Sequence, residues 1–107
     1  MTITLTERDD GGRVRAHVGD TIEVRLPENA STGYRWALDD LDTHLFELSE
    51  AGATYPHEAI GSGGEAWFRI TVLAPGNAAV RLKYWRQWEG EGGVAKRFTV
   101  EVEATPS

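Results

Sequence analysis

The chain has 107 residues, 40% of them hydrophobic and 26% charged, with a formal net charge of -6 and no cysteine. That length suits one hydrophobic core and is too short for two, so a single domain spanning 1–107 is expected. No Lys/Arg stripe is available to neutralise phosphates, which excludes nucleic-acid binding, and the missing cysteines exclude a disulfide framework, a thiol nucleophile and a thiolate metal site.

Two-residue alternation recurs along the chain. Ile3 and Leu5 alternate with threonines and suggest a first strand. The same N-terminal stretch has no basic segment followed by an apolar one, and no apolar run is long enough to span a bilayer. As given, the chain therefore carries neither a secretory signal nor a membrane segment, and a cytoplasmic location is expected, or a periplasmic or secreted one if a leader has been removed. Asp10-Gly11-Gly12 signals a turn, and Val14, Ala16 and Val18 alternate after it. Ile22, Val24 and Leu26 then face one way while Glu23 and Arg25 face the other, until Pro27, which cannot donate to a ladder, ends the run.

Tyr34, Trp36 and Leu38 form the next one-sided set, followed by a turn of helix over Asp39-Asp40-Leu41-Asp42. Phe46 and Leu48 suggest a short strand, and residues 51–64 read as largely loop. Phe68, Ile70 and Val72 alternate with Trp67, Arg69 and Thr71; Ala74-Pro75-Gly76-Asn77 is a strong turn signal; Val80, Leu82 and Tyr84 follow. Residues 89–93 read as a charged, glycine-rich loop, Phe98, Val100 and Val102 as a last strand, and the tail from Ala104 as frayed. About seven or eight short antiparallel strands with almost no helix imply an all-β, immunoglobulin-like β-sandwich without a disulfide.

Little in this pattern is catalytic. His17, His44 and His57 lack metal-ligand spacing and read as ordinary surface or strand histidines. Ser31 and Ser62 sit in no nucleophile elbow, and Asp39-Asp40 reads as a pair of solvated turn residues. Gly61-Ser62-Gly63-Gly64 leads into a strand rather than a helix and lacks the Lys-Ser/Thr ending of a phosphate loop. Asn29-Ala30-Ser31 matches a glycosylation acceptor, which matters only in a secretory pathway that glycosylates. No enzymatic activity, metal or cofactor is expected.

Three segments carry residues that a sandwich core does not need: Asn29-Ala30-Ser31-Thr32-Gly33-Tyr34, Gly61-Ser62-Gly63-Gly64 and Arg86-Gln87-Trp88. In an immunoglobulin-like count they occupy the B–C, D–E and F–G connections, which emerge at one end of the sandwich. Tyr34 serves either this surface or the core beside Trp36; Trp67 and Trp85 fall opposite the core sets; Trp88 lies outside the alternation, as a functional residue would.

These segments, N-A-S-T-G-Y, G-S-G-G and R-Q-W in that order, resemble the chagasin-type inhibitors of papain-like cysteine peptidases. That family's pattern is N-P-T-T-G-F/Y, G-x-G-G and R-P-W/F, and the likeness covers roughly Val18 to Val102. Ala30 and Gln87 stand where the pattern has prolines, which removes two fixed φ angles; Ser31 keeps the hydroxyl of the family's threonine. The resemblance implies a monomeric partner of a papain-family cysteine peptidase. Asn29–Tyr34 would enter the catalytic cleft, Ser31 and Thr32 would lie near the catalytic cysteine and histidine, Gly61–Gly64 would line one wall, and Arg86 and Trp88 would anchor the other. The competing reading is a non-inhibitory β-sandwich ligand-binding or adhesion module, with Trp85 and Trp88 stacking on a carbohydrate.

Overall fold

The computed structural model describes residues 1–29, 32–55 and 64–106. The alternation of Ile22, Val24 and Leu26 becomes β3 (Thr21–Glu28), whose inward side chains are fully buried. β3 runs antiparallel to β6 (Gly64–Val72), which buries Ala66, Phe68, Ile70 and Val72 on the same face. β1 (Thr2–Leu5) and β5 (Phe46–Thr54) complete a four-stranded sheet in the order β1-β3-β6-β5. The second sheet has the order β2-β8-β7-β4, from β2 (Arg13–His17), β8 (Val94–Thr105), β7 (Gly76–Trp85) and β4 (Arg35–Asp40). Its Val80, Leu82, Phe98, Val100 and Val102 meet the first sheet in one core. Each such side chain contributes about 1.5–3 kcal/mol by leaving water.

The all-β sandwich is therefore present, with eight strands in two sheets among the described residues. Antiparallel pairing holds for β3–β6, β5–β6, β4–β7 and β7–β8, whereas β1 pairs with β3 and β2 with β8 in parallel. Alternation sets which face is buried and is silent on strand direction.

Several local expectations are corrected. β3 does not stop before Pro27 but runs to Glu28. β1 accompanies it only as far as Val24, and the Pro27 carbonyl points away from β6 to accept the Trp36 indole N–H at 2.9 Å. Pro27 thus lies on an edge, where a missing donor breaks no ladder. β5 extends through Ala51–Thr54, so the expected long loop is shorter at its start. Asp39 and Asp40 close β4 instead of forming a helical turn. Residues Gln87–Gly93 form 3-10 turns rather than an irregular loop. Ala104 and Thr105 do not fray, because they pair with Ala16 and His17 of β2, and Ala104 is buried.

The outer face of the first sheet carries an ion ladder. Glu23 accepts from Arg69 at 2.8 Å and from Arg25 at 2.7 Å; Arg69 also reaches Glu50, and Arg25 reaches Glu65. These bonds, Arg69's first, hold the Glu23 carboxyl below its usual range. Trp67 lies on this face under the Arg69 guanidinium, 4.6 Å away. Among the described residues, no helix is long and apolar enough to cross a membrane.

Candidate functional site

Strand register brings the three connections to one end. Glu28, the last residue of β3, pairs with Gly64, the first of β6, and Thr54, the last of β5, pairs with the adjacent Glu65. In the other sheet Arg35 pairs with Trp85, which pairs with Val94. The β3–β4, β5–β6 and β7–β8 connections therefore leave the sandwich on the same side. Ala30, Ser31, Gly61, Ser62 and Gly63 lie outside the described residues, so the first loop is seen from its two flanks, and of the second motif only Gly64, with Tyr55 at the start of the connection that carries it.

The first and third loops are fastened to each other through Tyr84, near the end of β7. Its hydroxyl accepts the backbone N–H of Asn29 at 3.2 Å. Its ring stacks on Tyr34, with centroids 5.3 Å apart, and meets Trp36 at 4.9 Å. Tyr34 is thus part of an aromatic stack beneath the loop. Thr32 closes the turn: its hydroxyl donates to the Asn29 carbonyl at 2.8 Å and accepts the Tyr34 N–H at 3.3 Å. Arg86 reaches across from the third loop, its Nε donating to the Thr32 carbonyl at 3.1 Å and its guanidinium lying 4.4 Å from the centre of the Tyr34 ring.

Gly33 has φ = 80°, a left-handed conformation that suits glycine, and a Cβ there would sit 2.6 Å from the Trp88 ring. Trp88 thus rests its six-membered ring on Gly33 while 73% exposed. A groove of about 500 Å³ runs beside it, bordered by Arg35, Trp36, Trp85 and the exposed Gln87. Behind the third loop, Glu91 bonds Lys83 at 2.6 Å and faces Arg97 at 3.8 Å. Lys83 above all holds its carboxyl below the usual range.

Two residues that the sequence reading passed over anchor the flanks of the first two loops. Glu28 is 3% exposed, and its carboxylate accepts the Trp36 backbone N–H at 2.8 Å and the Tyr55 hydroxyl, with Arg35 at 3.9 Å. Tyr55, which follows β5, has its pKa pushed up to about 12, by burial first and by Glu28 next. The signal was available: Glu28 keeps the parity of Ile22, Val24 and Leu26, and a carboxylate at an inward position needs partners.

The histidines and acidic pairs are placed as follows. His17 is exposed, with Nδ1 3.7 Å from Asp20; His44 is exposed; His57 lies outside the described residues. Asp39 pairs with Arg97 and Lys83, and Asp40 with Arg81, so these are cross-strand ion pairs rather than solvated turn residues. Among the described residues no three His, Asp or Glu side chains converge as metal ligands would.

Residues 15–102 match the model of the chagasin family of peptidase inhibitors. Chagasin of Trypanosoma cruzi is 30% identical to this chain, across 97% of it and 99% of its own length. Amoebiasin-2 of Entamoeba histolytica is 30% identical across 79% of this chain and 71% of its own. A crystal structure of a cysteine protease inhibitor from Entamoeba histolytica superposes with a TM-score of 0.86 at 26% identity, covering 97% of this chain and 96% of that one.

Proposed function

The chain belongs to the chagasin family of peptidase inhibitors, and on that premise we propose that it blocks papain-like cysteine peptidases reversibly, seating the loop end of the sandwich in the catalytic cleft. The observation that supports this reading is the locking of the first loop to the third through Tyr84, Arg86 and the Gly33–Trp88 contact. Loops ordered before encounter lose little freedom on binding, and more of the contact energy is left for affinity. By the resemblance, Asn29–Tyr34 would enter the cleft with Ser31 and Thr32 closest to the catalytic pair, Gly61–Gly64 would lie along one wall, and Arg86 and Trp88 would anchor the other.

Arg86 and Tyr34 act mainly by holding the first loop, because their faces are already turned on each other. The Thr32 hydroxyl is likewise turned inward to the Asn29 carbonyl, so Thr32 also helps to hold this turn. Trp88 supplies the exposed aromatic anchor, the residue type most often found at binding hot spots. Together the loops can cover a standard interface of about 1,600 Å². Residues 1–107 act as one monomeric inhibitor domain that binds and performs no chemistry.

The test is a titration against papain with a fluorogenic peptide. Nanomolar or stoichiometric inhibition, with the protein recovered uncleaved, is the expected result. No inhibition at tens of micromolar would overturn it and move the function to ligand binding at the tryptophan-bordered groove. That groove is an imperfect sugar platform, since the Lys83 ammonium lies 3.8 Å from the Trp85 ring and occupies one of its faces.

A further inference from the structure

The Glu28 carboxylate is buried, and among the described residues no hydrogen bond or ion pair joins it to one assigned to the cleft, yet three segments converge on it. It terminates β3, takes the backbone N–H of Trp36 at the start of β4, and takes the Tyr55 hydroxyl at the end of β5. Arg35, 60% exposed, closes the charge at 3.9 Å and lies over the Tyr55 ring at 5.8 Å. β4 belongs to one sheet and β5 to the other, so one side chain joins the two sheets where the first loop returns and the second departs.

We propose that Glu28 is a positioning residue for inhibition: it clamps the returning flank of the first loop to the departing flank of the second, and so fixes the spacing of the loops across the cleft. The inference rests on the inhibitor reading above. Its physical basis is that a carboxylate so deeply buried is costly to leave with an unmet bond, so the Trp36 amide and the Tyr55 hydroxyl are held where it needs them. Burial first, and the Glu28 carboxylate next, keep the Tyr55 phenol protonated, and so able to donate, well above neutral pH.

Three variants test the clamp, each read by inhibition of papain and by hydrogen exchange of the Trp36 amide in the free protein. Tyr55→Phe cuts only the link to the second loop, so inhibition should weaken about fivefold while the Trp36 amide exchanges as in the parent. Glu28→Ala should weaken inhibition at least about tenfold and speed Trp36 exchange by a similar factor. Glu28→Gln keeps an oxygen for Trp36 and an amide N–H for the Tyr55 oxygen, and should restore inhibition to within about threefold of the parent.

A folded Glu28→Ala protein that inhibits like the parent would overturn the proposal. So would a Glu28→Gln variant as weak as Glu28→Ala, which would make the role one of charge. If Glu28→Ala does not fold, the Gln and Phe variants decide, because a clamp requires Tyr55→Phe to inhibit less well than the parent. Should the parent itself fail to inhibit papain, the functional reading falls alone. Slow Trp36 exchange retained in Glu28→Gln would still support the clamp, and fast exchange would overturn it.

Discussion

The two ends of the sandwich are tied together by different chemistry. At the end away from the loops, the strand connections are joined largely by backbone hydrogen bonds: Gly19 N–H to the Val72 carbonyl at 2.9 Å, Val72 N–H to Asp20 at 2.9 Å and Leu73 N–H to Leu45 at 2.7 Å. Such bonds depend little on which side chains are present. At the loop end the ties are side chains: the Tyr84 hydroxyl, the Arg86 guanidinium, the Trp88 ring on Gly33 and the Glu28 carboxylate. One end is therefore shaped by the path of the main chain and the other by particular residues. Substitution should cost stability at the first and inhibition at the second.

A matched pair of substitutions tests this most sharply. Gly33 and Gly19 both have positive φ, 80° and 97°, so alanine strains the backbone at either position by about 1–2 kcal/mol. A Cβ on Gly19 meets nothing within 4 Å, whereas one on Gly33 strikes the Trp88 ring. Gly19→Ala should lower the melting temperature by roughly 4–8 °C per kcal/mol of strain and leave papain inhibition unchanged. Gly33→Ala should cost similar stability and about a hundredfold in inhibition, about 2.7 kcal/mol, because it displaces both loops at once. Equal losses of inhibition in the two variants would erase the distinction between the ends.

Trp88→Ala separates contact from scaffold at the loop end itself. The ring is 73% exposed, so little packing is lost and stability should stay within about 0.5 kcal/mol of the parent. Inhibition should still weaken at least about tenfold, about 1.4 kcal/mol, measured under the same titration. If stability falls with inhibition, Trp88 is a prop for Gly33 and the anchor lies elsewhere.

The same division explains what could be read from sequence. The core sets Ile22-Val24-Leu26, Phe68-Ile70-Val72 and Val80-Leu82 were legible because burial imposes a period of two on each strand. The parallel placement of β1 and β2 was not, since direction leaves no mark on alternation. The third loop's Trp88 stood out as a large ring outside any pattern. Glu28 and Tyr55 did not, because their partners are 8 and 27 residues away along the chain and become neighbours only when the sheets close. Thr32 and Tyr34 were recognised as loop residues, but the inward turn of the Thr32 hydroxyl and the stack of Tyr34 on Tyr84 depend on the folded backbone.

The smallest expected difference between the ends lies in their response to acid, and both ends share its sign. Asp20, away from the loops, is held below its usual pKa, chiefly by the His17 backbone N–H, and Glu91, behind the third loop, chiefly by Lys83. A carboxylate with a depressed folded pKa contributes stability that is fully present above its unfolded value, about 4, and is lost as pH falls through the folded value. Denaturant midpoints should therefore be flat from neutral pH down to about pH 5 and decline below about pH 4. Glu91→Gln isolates the loop end's share. Its midpoint should lie slightly below the parent's at neutral pH, and the gap should narrow as the parent's own Glu91 becomes protonated. Midpoints that coincide at every pH would mean that the Glu91–Lys83 pair is screened by solvent and leaves the third loop's position to Arg86 and Trp88.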